Sequence, residues 1–82
     1  MRRRFKQNEY QCDWITTTIT GIEEKNKRYK EKYKCVFYCE SSTGTPRMCI
    51  AWGEHDIHVG DVVDLKGRIK NDVFLCRKLF IK

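Results

Sequence analysis

The chain has 82 residues, 17 Lys+Arg against 11 Asp+Glu and a net charge of +6. A chain this short folds as one domain around one small core, which disfavours a deep catalytic cavity and favours binding. The positive balance favours polyanionic or acidic partners, and no apolar run approaches the roughly 20 residues of a membrane span, so no membrane partner is expected.

Residues 1–9 read as a basic, polar tail, expected to stay flexible until it docks, and residues 10–82 read as the folded domain. Arg2, Arg3 and Arg4 could add nonspecific phosphate contacts, or serve only as a solubilising end. No apolar segment follows them, so secretion is not expected and a cytoplasmic location is. Five scattered cysteines without a CxxC pair fit reduced, buried thiols in such a compartment and match no common zinc spacing.

The β-branched run Trp14–Thr20 predicts a first strand, with Ile15 and Ile19 on one face and Thr16, Thr18 and Thr20 on the other. Gly21 suggests a bend within it, with Ile22 to Glu24 continuing beyond. Lys25–Arg28 reads as the turn. A helix over 23–34 would have only Ile22, Tyr29 and Tyr33 as its apolar side.

Strand two is expected over Tyr29–Glu40, with Tyr33, Cys35, Phe37 and Cys39 inward and Lys32, Lys34, Val36 and Tyr38 outward. After the turn cluster 41–46, strand three is expected over Arg47–Trp52. Its larger side chains, Met48, Ile50 and Trp52, are expected inward, with Trp52 able to reach the surface at the strand end. Arg47, Cys49 and Ala51 are expected outward. Residues 53–60 lack a helical period. Strands four (Val62–Ile69) and five (Val73–Ile81) flank a tight turn at Lys70-Asn71-Asp72. Strand five alternates poorly, which a bulge near Arg77-Lys78 would explain.

Five short strands with little or no helix predict an all-β, closed or partly open small barrel, which removes the problem of exposed edges. Thr16–Ile22 with Gly21, Ala51-Trp52-Gly53, and above all Gly60-Asp61-Val62-Val63-Asp64-Leu65-Lys66-Gly67-Arg68-Ile69 resemble the short OB-fold modules of anticodon-binding and single-strand-handling proteins. One departure is that residues 53–60 leave no room for the helix such modules usually carry between strands three and four. An SH3-like barrel is the alternative.

The resemblance implies a ligand groove flanked by the loop between strands one and two and that between strands four and five. Residues 25–34 hold six Lys/Arg and one Glu. Among them Lys27, Arg28, Lys30, Lys32 and Lys34 could neutralise phosphates, with Tyr29 stacking on a base. The plainer alternative is a solvated hairpin whose lysines blunt an edge strand. A second candidate is the outward face of the first three strands, carrying Trp14, Thr16, Thr18, Lys32, Lys34, Tyr38 and Arg47. There Trp14 and Tyr38 would be stacking platforms, although Trp14 could instead cap one barrel end. A third is the closing hairpin with Lys66, Arg68, Lys70 and Asn71, as an opposite wall.

His55-Asp56-Ile57-His58 lacks a convincing third metal ligand, and no nucleotide-binding or hydrolase motif is present. Neither a cofactor nor catalysis is therefore expected. The expected ligand is single-stranded DNA or RNA, bound with low sequence specificity. The alternative is a protein–protein interaction module that takes an acidic partner or self-associates.

Overall fold

A computed structural model describes residues 14–41 and 44–82. The expected tail over 1–9, Cys12, and Ser42 and Thr43 of the turn cluster lie outside the described residues. The described chain is all β: β1 Trp14–Tyr29, β2 Lys32–Cys39, β3 Arg47–Trp52, β4 Val62–Lys70 and β5 Val73–Ile81. They form a closed barrel in the order β1-β2-β3-β5-β4, with β3 and β5 parallel and the other pairs antiparallel. This architecture is consistent with the OB-like barrel that the sequence resembles.

β1 closes the barrel by serving both halves. Trp14–Thr18 pair with β4, and Ile19–Tyr29 pair with β2. Three register shifts, at Ile19/Gly21, Ile22/Glu24 and Glu24/Lys27, each add one residue to β1 opposite β2. Such bulges bend a strand and increase its twist, which lets it turn from one half to the other. The strand therefore runs through the expected turn at Lys25–Arg28. Reversal occurs at Lys30-Glu31, so β2 begins at Lys32 rather than Tyr29. Asn26, the apparent turn residue, instead takes a left-handed conformation within a bulge (φ 54°).

The core comprises Ile19, Cys35, Phe37, Cys39, Cys49, Ala51, Ile57, Val63, Leu65 and Phe74, all buried, with Ile22, Cys76 and Leu79 packed against it. β3 has the opposite phase to that expected. Cys49 and Ala51 are 1% and 2% exposed, whereas Trp52 is 53% exposed. The reason lies in neighbouring strands. Cys49 pairs with Phe37 on one side and Phe74 on the other, and Ala51 pairs with Cys35 and Cys76. Facing partners share a side of the sheet, and two phenylalanines leave space only for small residues between them.

β5 carries its bulge at Arg77, the extra residue between pairs Lys66↔Lys78 and Gly67↔Cys76. A Cβ at Gly67 would lie 2.0 Å from the Leu75 carbonyl oxygen, so the bulge closes against bare backbone there. The β4–β5 turn has positive φ at both Asn71 (54°) and Asp72 (65°), as two-residue hairpins that match strand twist require. No helix occupies the β3–β4 connection. Ile57, fully buried, carries that loop into the core.

Candidate nucleic-acid interface

The outer face of β1, β2 and β3 gathers aromatic and cationic side chains at the β1–β2 hairpin. Cross-strand pairs Tyr29↔Lys32, Lys27↔Lys34 and Lys34↔Trp52 set these five residues on one surface. The Tyr29 and Trp52 rings meet edge to face, with centroids 6.3 Å apart and planes at 72°. Lys34 Nζ stands 4.6 Å from the Tyr29 centroid and 5.5 Å from that of Trp52. Lys32 Nζ is 5.9 Å from Trp52, and Lys27 Nζ is 5.6 Å from Tyr29. These are cation–π distances. Tyr29, Lys30, Glu31, Lys32 and Trp52 line an open depression of about 530 Å³.

Two supports hold the rings. The Tyr29 hydroxyl donates to the Glu24 carboxylate at 3.1 and 3.2 Å, and Glu24 also pairs with Lys27 at 3.8 Å. Behind Trp52, its carbonyl lies 3.1 Å from His55 Nε2. From Trp52 the face continues over half-buried Ile50, Met48 and Tyr38 and buried Val36. β5 lies alongside, with Val73 beside Met48, so the β4–β5 turn stands at the far end of this face. The four steps from Trp52 to Met48 make it about 13 Å long.

Of the expected site residues, Lys27, Tyr29, Lys30, Lys32 and Lys34 converge here. Arg28 does not: its Nε donates to the Lys30 carbonyl at 2.8 Å and braces the turn. Tyr38 is on the same face but half-buried, with its ring over Gly21. Lys70 and Asn71 are at the opposite end, and Arg68 lies on the outer side of β4, paired with Leu75.

Three expectations need correction. Trp14 shares no face with Tyr38, because it pairs with Lys66 of β4 on the other half of the barrel. Thr16 belongs to that half too, and its hydroxyl donates to Asp64 at 2.6 Å. Arg47 pairs with inward-facing Cys39 and lines the barrel mouth with Ile15, Thr17, Glu40 and Phe74. Trp52, the most exposed aromatic of the cluster, belongs to the set that strand-three phasing places inward, and it takes the alternative of reaching the surface at the strand end. Its signal was the small pair Cys49 and Ala51, whose burial turns Trp52 out.

His55-Asp56-Ile57-His58 performs structural work. Lys25 pairs with Asp56 at 3.0 Å, and this contact, aided by His58, holds the Asp56 carboxyl below its ordinary range. Among the described residues no three His, Cys, Asp or Glu side chains are placed to hold a metal ion. The described residues also include no helix long and apolar enough to cross a membrane.

No family model matches this chain, and neither a curated protein nor a solved structure matches it.

Proposed function

We propose that this barrel binds single-stranded nucleic acid across the outer face of β2 and β3, by phosphate neutralisation and base stacking with little sequence readout. The observation that carries the reading is the Tyr29–Trp52 pair with Lys27, Lys32 and Lys34 around its rings. A base stacked on Trp52 would be walled by Tyr29, and the lysines would move from the ring faces to flanking phosphates. Stacking of this kind contributes about 1–3 kcal/mol per base whatever the base. The turns at Lys30-Glu31 and Asn71-Asp72 bound the face at its two ends, and Lys70 adds a cation at the second.

The test is fluorescence anisotropy of labelled 15-mer single-stranded DNA and RNA at two salt concentrations. Binding that weakens with salt and is lost in Lys32→Glu/Lys34→Glu supports the reading. Absence of binding to both probes at low salt rejects it. Trp52→Ala separates nucleic acid from an acidic protein partner, since the latter needs the cations but not the ring.

A further inference from the structure

A second aromatic–cationic cluster lies on the other half of the barrel. Trp14 and Phe80 are 46% and 57% exposed, and their rings are 5.5 Å apart with planes tilted by 33°. Lys66 Nζ is 5.7 Å from the Trp14 centroid. The ladder places Trp14, Lys66 and Lys78 in one row and Thr16, Asp64 and Phe80 in the next, all on the outer surface of β1, β4 and β5. Arg68 follows Lys66 on the same side of β4.

Nothing in the core requires this arrangement. The buried hydrophobic residues of these strands are Ile19, Val63, Leu65 and Phe74, on the inner side, so two large rings remain in solvent. Exposed apolar surface rimmed by polar groups marks an interaction site. The rim selects the class of partner. Among the described residues it offers cations from Lys66, Lys78 and Arg68 and one facing carboxylate, Asp64, which accepts a hydrogen bond from Thr16. Rings for stacking beside cations that make no ion pair among the described residues suit an anionic, base-bearing chain.

We infer that Trp14, Phe80, Lys66 and Lys78 form a second single-strand-binding platform, separate from the Tyr29–Trp52 face. The inference takes the nature of its ligand from the reading of that first face. Its geometry is independent of it: Trp14 and Tyr29 stand at the two ends of the 16-residue β1, which passes from one half of the barrel to the other. The protein thus presents two outward platforms, and each contains one of the two tryptophans of the chain.

That distribution supplies the test. The full chain is labelled with 5-fluorotryptophan, giving two fluorine resonances, assigned with Trp14→Phe and Trp52→Phe. It is titrated with oligothymidylate at low salt. Both resonances are expected to shift saturably. In Lys66→Glu/Lys78→Glu the Trp14 response should need about tenfold more oligonucleotide, with the Trp52 response unchanged. A shift of Trp52 alone overturns the second platform and leaves the first standing. If neither resonance moves, both readings fall. A Trp14 shift that follows protein concentration rather than oligonucleotide identifies self-association and also overturns the inference. The labelled wild-type chain gives these outcomes even if a substituted chain fails to fold.

Discussion

The Asn26 side chain grips the backbone of His55 at both its polar groups. Its Nδ2 donates to the His55 carbonyl at 3.1 Å, and its Oδ1 accepts from the His55 N–H at 2.8 Å. The contact joins the bulged part of β1 to the loop that carries Ile57 into the core, and His55 in turn touches the Trp52 carbonyl. One amide therefore links the bulge of β1 to the loop behind Trp52. Asn26→Ala removes both bonds and puts a less tolerant residue at positive φ. At about 0.5–1.5 kcal/mol per hydrogen bond, plus about 1 kcal/mol for the left-handed conformation, the expected loss is about 2–4 kcal/mol. Urea unfolding measures it, and Asn26→Gly should recover only the conformational part.

Gly67 is where β4 meets the β5 bulge. An added Cβ would stand 2.0 Å from the Leu75 carbonyl oxygen and 3.0 Å from the Cys76 Cα, both backbone atoms that cannot rotate away. Gly67→Ala must therefore separate the strands locally. The expected cost is at least about 3 kcal/mol, the upper end of ordinary overpacking. Amide exchange of Leu75 and Cys76 should accelerate, and protection that stays at wild-type level would contradict the account.

The inner thiols provide a pH test. Cys39 is raised by its hydrogen bond with Cys49 and by burial. For Cys49 the bond with Cys39 lowers the pKa, but the bond with Cys76 and burial outweigh it and push the thiol up to about 12. A thiol raised above its ordinary 9.0 in the folded state favours folding below that value. The contribution is lost as pH rises from 9 toward 12, because the unfolded chain ionises first. Stability to urea should thus decline above pH 9. Alkylation of Cys39 and Cys49 at pH 8 should proceed only at the rate of unfolding, which mass spectrometry of the labelled sites can follow.

Legibility followed how local each determinant is. The Asn71-Asp72 turn was readable because those residue types tolerate positive φ, and the Arg77 bulge because it breaks an alternation within one strand. The Lys30-Glu31 turn has no such residues, while Asn26 just before it does. The turn was therefore displaced and β1 read as too short. β3 failed for a nonlocal reason. Met48, Ile50 and Trp52 are the more hydrophobic set, yet Phe37 and Phe74 on neighbouring strands decide which side is full. That inversion keeps Trp52 out of the expected site even though its place at the strand end lets it reach the surface, whereas Lys32 and Lys34 follow from the charge run and the alternation of β2, and Tyr29 from its place among the cations. The Trp14–Phe80 contact joins opposite ends of the chain and could not be read at all.

Glu24 is a negative charge placed inside the candidate interface, where it orients Tyr29 and holds Lys27. Glu24→Gln keeps an acceptor for the Tyr29 hydroxyl but releases Lys27 and removes repulsion of phosphate. Affinity for a single-stranded 15-mer should rise about two- to fivefold at low salt, and the gain should shrink as salt screens it. Tyr29→Phe, which loses the anchor but keeps the ring, should weaken binding modestly at every salt concentration. An unchanged affinity for Glu24→Gln at low salt would argue that phosphates do not pass Lys27.

The rings and the cations of the first platform should separate in a salt titration. Trp52→Ala removes a stacking surface without altering charge, so affinity should drop by about 1–3 kcal/mol with the slope of log affinity against log salt unchanged. Lys34→Gln removes one cation, which stands between both rings. If that cation meets a phosphate in the complex, the slope should flatten by about 0.7, the value for one contact on a single strand. The reverse pattern would mean that Lys34 serves to hold Tyr29 and Trp52 in place rather than to meet the ligand. The barrel would then stack bases on its rings and meet phosphates through its remaining cations, Lys27, Lys32 and Lys70 among them.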